Sequence, residues 1–194
     1  MKRGYWRNGA WRIFAAIWLA AAAVVPAEAT TLMHMSLAQM AQTAKAIVRA
    51  RCIDNATIEQ SGEIWTVTTF EVEEAWRGAN LPQRIAVRLL GGTAGNITSR
   101  VSGIPHFQPG EETVLFLEAT SRGDFSIVSW QQGTFRISHN RGTSGDVVTQ
   151  DTASFATFYP GSRRFEETGI SGMPIASFHE QVEAALRDGA SRNQ

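Results

Sequence analysis

The sequence predicts a mainly β domain, in which five to six strands form a small closed or partly open barrel with a short helix at each end. The segment 63–78 is rich in Thr, Val, Ile and aromatic residues, and every second residue from Ile64 to Val72 falls on one face of a strand. Segment 84–89 alternates in the same way. Such segments recur between turns rich in Gly, Pro and Ser, which is typical of small barrels and leaves a sandwich as the alternative.

The first 29 residues have the composition of a signal peptide. Four basic residues begin it, an apolar run of 13 residues extends from Ile13 to Val25, and small residues at positions 27 and 29 match a cleavage site. A membrane-spanning helix needs roughly 20 apolar residues, so the run is too short. We therefore expect cleavage after Ala29, a periplasmic or secreted location, and no membrane contact after cleavage.

The expected mature chain, residues 30–194, has the size of a single domain. Its barrel core is predicted at about 36–149, and a loop and helix follow over 150–194. Removing the signal peptide takes away four of 18 basic and one of 18 acidic residues, so 14 and 17 remain and the net charge is −3. Nucleic-acid binding relies on Lys and Arg at phosphates, so the composition argues against it.

Cys52 is the only cysteine of the chain. It continues the alternation of Val48 and Ala50, which predicts a buried thiol. We therefore expect neither an internal disulfide nor a disulfide-linked subunit.

The first part of the mature chain is predicted to contain a helix and a strand. Ser36 and Gln39 have the spacing of a capping box at a helix start. A first strand begins at Ala46, where apolar residues alternate with arginines up to Ile53. The polar segment 55–62 ends in Ser-Gly and is predicted to be the turn into the second strand.

The second half is predicted to contain a strand at 112–119 and strands at 125–130 and 134–138, which form one bent strand if Gly133 marks a bulge; Val147 and Val148 are the only indication of a last short strand at 146–149. The first of them is apolar at successive positions, as a strand covered on both faces would be. Turns are predicted at 121–124 and 140–142, and Gly133 indicates a bulge or bend.

The C-terminal part is predicted to be an ordered loop at best over 150–174, followed by a helix. Ser177 and Glu180 form a second capping-box pattern, an apolar face follows, and Gly189 is a suitable end. This helix is expected to cap an open end of the barrel, with a partner surface as the alternative.

The longest loop, from Gly91 to Gly110, is the predicted functional segment, because long loops without periodicity are often functional. His106 lies in it beside Phe107 and precedes the pair Glu111 and Glu112. Trp65, Trp76 and Trp130 are aromatic groups that stack on a sugar or peptide if exposed. The predicted binding residues are His106, Phe107, Glu111 and Trp130.

Catalytic signatures do not stand out. The four histidines lack metal-site spacing, and nucleophile-elbow, phosphate-loop and dinucleotide motifs are missing from the sequence. We therefore predict no cofactor, no metal and no catalytic residue. Two alternatives stay open: a small exported enzyme or metal-binding protein that uses the His106 loop, and an oligosaccharide binder.

Several sequence blocks together resemble a group of uncharacterised exported bacterial proteins. These blocks are Ser-Leu-Ala-Gln-Met (36–40), Ala-Ile-Val-Arg-Ala (46–50), Thr-Val-Thr-Thr-Phe-Glu-Val (66–72), Trp-Arg-Gly (76–78), Gly-Gly (91–92), Gly-Ile-Pro-His-Phe (103–107), Gly-Glu-Glu (110–112) and Val-Leu-Phe-Leu (114–117). The resemblance implies a bacterial, exported protein and no particular activity.

More distantly, the layout is similar to netrin-like barrels of the oligonucleotide/oligosaccharide-binding (OB) type, the domain type of tissue inhibitors of metalloproteinases. In that family inhibition depends on an N-terminal cysteine, whereas this chain would begin at Thr30. The resemblance therefore implies a fold and not that mechanism. We expect a non-catalytic envelope binding module with a protein partner, for which a secreted protease is one candidate.

Overall fold

The computed structural model describes residues 33–139, 145–152, 157–166 and 169–192. The predicted signal peptide and the predicted turn at 140–142 lie outside the described residues. The described helices are α1 (Leu37–Thr43) and α2 (Ile175–Arg192), with a short 3-10 helix, η1 (Trp130–Gly133). The described strands are β1 (Ala46–Gln60), β2 (Glu63–Arg77), β3 (Arg84–Leu90), β4 (Gly92–Ala94), β5 (Ile97–Ser99), β6 (Glu112–Ala119), β7 (Phe125–Ile127), β8 (Thr134–His139), β9 (Asp146–Gln150), β10 (Thr157–Tyr159), β11 (Arg164–Glu166) and β12 (Met173–Pro174).

Five of these strands pair in a closed ring. β1 pairs with β2, β2 with β3, β3 with β7, β7 with β6, and β6 returns to β1. The β3–β7 contact is parallel and the other four are antiparallel. β6 also pairs with β8, from which the sheet continues through β9 to β12. The predicted mainly β class is confirmed.

The β1–β2 hairpin is longer than predicted. The sequence indicated a turn over 55–62, but β1 continues to Gln60 and pairs with β2 throughout this segment. The turn consists of Ser61 and Gly62 alone, both with positive φ (55° and 80°), as tight hairpin turns of the primed type require. The strand continues through these polar residues because most of the segment 55–60 is exposed, so its polar side chains stay hydrated in an extended chain.

The interior of the ring is one hydrophobic core. Val48, Ala50 and Cys52 of β1 are buried in it, as their alternation predicted, and Phe70 of β2 is fully buried among them. The Phe70 ring meets the edge of Phe107 at 5.0 Å and 84°. The face predicted for the second strand is therefore confirmed.

A second core lies on the outer side of β1 and β6, against the two helices. Val114 and Phe116 of β6 contribute to it, while their neighbours in β6 face the ring interior. This confirms the prediction that 112–119 is covered on both faces. From α2, Phe178 and Val182 pack into the same cluster and are fully buried.

The first capping box is confirmed and the second is wrong. Ser36 accepts from the Gln39 amide, and the Gln39 side chain accepts from Ser36. α2, however, begins at Ile175, so Ser177 is inside it. The helix also continues past Gly189, where a Cβ atom would lie 2.8 Å from Gln42 Cγ of α1. Glycine at this position permits close helix packing instead of ending the helix.

Three other segments differ from the sequence prediction. The strand predicted at 125–130 ends at Ile127, because the chain turns at Ser129 and Trp130, both with positive φ, into η1. The loop 91–110 contains the β4–β5 hairpin, and the segment 150–174 contains β10, β11 and β12. These strands are only two or three residues long, too short for periodicity to reveal. Neither helix of the described residues is long and apolar enough to cross a membrane.

Candidate functional site

A groove of about 410 Å³ opens where the end of the 91–110 loop passes β6 and β8. Its lining residues are His106, Glu111, Glu112, Arg136, Ile137 and Ser138. Strand alternation explains part of this set. Phe135 is fully buried in the second core, so its neighbour Arg136 is directed away from that core.

Arg136 holds one wall of the groove together. Its Nη1 atom donates to Glu111 Oε2 at 2.5 Å, and Nη2 donates to Asp151 Oδ2 at 3.0 Å and to the His106 carbonyl at 2.7 Å. Its guanidinium carbon lies 4.7 Å from the centre of the Phe107 ring, within cation–π range. One side chain therefore fixes the loop, Glu111 and β8 relative to each other.

A second group of charges, here called the charge cluster, adjoins the groove. It consists of Arg49, Arg51, Glu73, Glu112, His139 and Asp146. Glu112 is its centre and its side chain is only 5% exposed. The Nη2 atom of Arg49 donates to Glu112 Oε2 at 2.9 Å, and Arg51 pairs with Glu112 Oε1.

The cluster joins five strands, β1, β2, β6, β8 and β9, through its side chains. Arg49 also contacts Glu73 of β2 at 3.4 Å and Asp146 of β9 at 3.3 Å. His139 of β8 lies between Asp146 and Glu112, with Nδ1 2.9 Å from Asp146 Oδ1 and Nε2 3.3 Å from Glu112 Oε1. Because a buried carboxylate needs such partners, the arrangement keeps Glu112 ionised at the edge of the groove.

The pKa shifts follow from these contacts. Burial alone would raise the pKa of Glu112, but the hydrogen bond from Arg49 and the nearby charges of Arg51 and His139 outweigh it, so the pKa is lowered. The pKa of Asp146 is lowered chiefly by its hydrogen bond with His139. The pKa of His139 is raised by the same hydrogen bond and by the charge of Glu112.

The four predicted binding residues do not share one location. His106 and Glu111 both line the groove, and they are the two that the fold brings together. Phe107 is 6% exposed and belongs to the ring core, where it supports Arg136 from below. Trp130 begins η1, is partly buried against the ring core and does not line the groove.

Sequence reasoning missed Arg49, Arg51, Arg136, His139 and Asp146 as parts of a site. The contacts of Arg49 join residues 63 and 97 positions apart. A single sequence does not show which residues of such distant strands lie opposite each other, so the contacts of Arg49 with Glu112 and Asp146 could not be predicted. The alternation of Arg49 and Arg51 with apolar residues was the available signal, and it indicates only their shared face.

Three observations concern the two alternatives. No group of three or more His, Cys, Asp or Glu side chains in this part of the chain is placed to hold a metal ion. His139 and His179 lie within ion-pair distance of carboxylates. Trp65 lies beneath Arg88, and Trp76 stacks on His179 at 4.3 Å, which limits their use as sugar platforms.

Comparison of the chain with protein-family models, curated proteins and solved structures finds no match.

Proposed function

We propose that this protein is an exported, non-catalytic binding module of the bacterial envelope, whose groove engages a segment of a protein partner. A secreted protease is one candidate for that partner. We also propose that the five-strand ring is a small OB-like barrel of the netrin-like type. The closed pairing from β1 through β2, β3, β7 and β6 supports this.

The observation that carries the proposal is the fixed geometry of the groove's charged groups. Arg136 is held by three acceptors and Glu112 by two arginines. Groups that are already ordered lose little conformational freedom when a partner binds, so more of the contact energy appears as affinity. Such a site suits recognition, and it supplies no activated nucleophile among the described contacts.

The charge balance favours a protein segment over a small anion. Five carboxylates surround the groove and the charge cluster: Glu73, Glu111, Glu112, Asp146 and Asp151. In the described part of the chain, three guanidiniums, those of Arg49, Arg51 and Arg136, face them, and each is paired with a carboxylate. The ring of His139 adds at most one positive charge, so the sum stays negative. A small anion would therefore meet a surplus of negative charge.

The size of the groove fits one or two side chains of a partner. A stable protein interface covers about 800 Å² on each partner, more than this groove offers alone. We therefore place the groove at the centre of a wider contact that includes its exposed rim at Ser138 and His106.

Replacing Ser138 with Trp tests this function. Ser138 is exposed and lines the groove, so an indole ring there fills the groove without entering either core. With the purified mature chain as bait in an envelope extract of the organism that makes it, we expect Ser138→Trp to reduce partner capture at least about tenfold, or 1.4 kcal/mol.

The matched control is Ser121→Trp in the exposed turn between β6 and β7. It introduces the same side chain away from the groove, so capture should equal that of the unmodified chain. Equal capture by Ser138→Trp and the unmodified chain, with both variants folded by circular dichroism, would refute the groove as the binding site.

A further inference from the structure

His139 has two carboxylates at its two ring nitrogens. Nδ1 lies 2.9 Å from Asp146 Oδ1, and Nε2 lies 3.3 Å from Glu112 Oε1. A carboxylate only accepts hydrogen bonds, and a neutral imidazole carries a single N–H group. The neutral ring can therefore satisfy one carboxylate, and its unprotonated nitrogen then faces the other. The observed geometry fits the doubly protonated imidazolium.

The charge count of the cluster leads to the same result. Its fixed charges are two guanidiniums, from Arg49 and Arg51, and three carboxylates, from Glu73, Glu112 and Asp146. The cluster is therefore neutral when His139 carries its proton and has a charge of −1 when it does not. Among the described residues, Glu112 of β6 and Asp146 of β9 face His139 directly. The β1 arginines pair with these carboxylates, and Glu73 of β2 pairs with the arginines.

One of the two carboxylates also belongs to the groove. Glu112 lines it, whereas Asp146 opposes His139 in the β8–β9 pairing. His139 thus connects the groove wall to the outer strand β9. Its side chain is 55% exposed, so protons from the solvent reach it freely.

We propose that His139 is a pH-dependent latch on the groove: its protonated ring joins Glu112 to Asp146, and loss of one proton releases one of these carboxylates and makes the groove more negative. The N–H bond that breaks releases its proton to solvent and leaves its electron pair on the ring nitrogen, and no other covalent bond changes. The latch would regulate partner binding and in that respect rests on the proposed function. An exported protein meets a wider range of pH than a cytoplasmic one, which gives such a latch a use.

The sign of the pH effect follows from the raised pKa of His139. A group whose pKa is higher in the folded state stabilises the fold below its unfolded pKa and loses that contribution as the pH rises through the folded pKa. The latch is therefore closed in mildly acidic solution and opens as the solution becomes alkaline.

Nuclear magnetic resonance of the full mature chain tests the latch without any partner. The ring resonances of His139, assigned by their loss in His139→Gln, should titrate with a midpoint above the ordinary value of 6.5. Asp146→Asn and Glu112→Gln should each lower this midpoint, because each removes one negative neighbour. A midpoint at or below 6.5, or one that neither substitution moves, would overturn the proposal.

Two further readouts separate a latch from a merely structural histidine. The side-chain carboxyl resonance of Glu112 should change with the His139 midpoint, and that transition should disappear in His139→Gln. The unmodified chain should melt at a higher temperature than His139→Gln at pH 5.5, with little difference at pH 8.5. A Glu112 resonance that ignores the His139 titration would contradict the latch.

The outcome is independent of the capture experiment. If His139 titrates as expected but Ser138→Trp captures as much partner as the unmodified chain, the latch stands and the proposed function is refuted. Capture that Ser138→Trp abolishes, with no titration at His139, would refute the latch alone.

Discussion

Phe70→Asp is expected to unfold the domain. Phe70 is fully buried inside the five-strand ring and contacts Phe107, which in turn supports Arg136. Removing the phenylalanine ring costs about 3–5 kcal/mol, and burying an unpaired carboxylate costs several more. Together these approach the whole stability of a typical domain, about 5–15 kcal/mol. Circular dichroism and thermal melting should show no cooperative transition.

The control is Ala75→Asp on the same strand. Ala75 is exposed, so the same new charge stays hydrated and the free energy of unfolding should change by less than about 1 kcal/mol. A soluble Phe70→Asp variant that melts cooperatively near the unmodified chain would show that the interior of the ring has been assigned to the wrong face.

Gln132→Leu is expected to lower the free energy of unfolding by about 2–4 kcal/mol. Gln132 is 1% exposed and holds the start of the described chain. Its Oε1 atom accepts from the Met35 amide, while Nε2 donates to the Met33 carbonyl and to Ser129 Oγ, all at 2.8 Å. Leucine has similar bulk but leaves the Met35 amide without this acceptor. The melting temperature should fall by roughly 5–15 °C, with faster hydrogen exchange at Met35.

The neighbouring residue gives the control. Among the described residues, nothing hydrogen-bonds to the buried Oε1 atom of Gln131. Gln131→Leu therefore removes an unsatisfied acceptor and should leave stability equal or slightly higher. An equal loss in both variants would mean that leucine disturbs η1 itself and that the hydrogen bonds of Gln132 contribute little.

Hydrophobic alternation predicted the inner face of the ring correctly, because side chains of a strand point alternately to its two sides. Ile85, Val87 and Leu89 are buried as their spacing indicated, and Cys52 is buried in the same core. The same reasoning failed over 55–60, where the chain is extended but largely exposed and the polar residues imitate a turn. It also failed at Ser129 and Trp130, whose positive φ is unusual for residues with side chains.

The candidate site was predictable only in its loop. His106 and Glu111 are only five residues apart, so their sequence separation alone indicates that they lie close together. Their partner Arg136 comes from a strand 25 residues after Glu111, and Arg49 comes from the first strand of the ring. Only the pairing of β6 with both β1 and β8 brings these charges to one place.

The structure distinguishes residues that line the groove from residues that support it, which the sequence could not do. Phe107 was expected to contact a ligand, yet it is buried and acts by supporting Arg136 through its ring face. A substitution at Phe107 would therefore alter the core as well as the groove. Ser138, which was not singled out, is the better probe because it is exposed and lines the groove directly.

The most direct test of the groove as a binding site is photo-cross-linking in living cells. A photoreactive phenylalanine analogue at position 138 places the reactive group in the groove, and the same analogue at position 121 places it on the exposed turn between β6 and β7. We predict a discrete cross-linked protein adduct from position 138 and none from position 121. An adduct from position 121 alone, or none from position 138 while the protein is folded and exported, would contradict the proposed function.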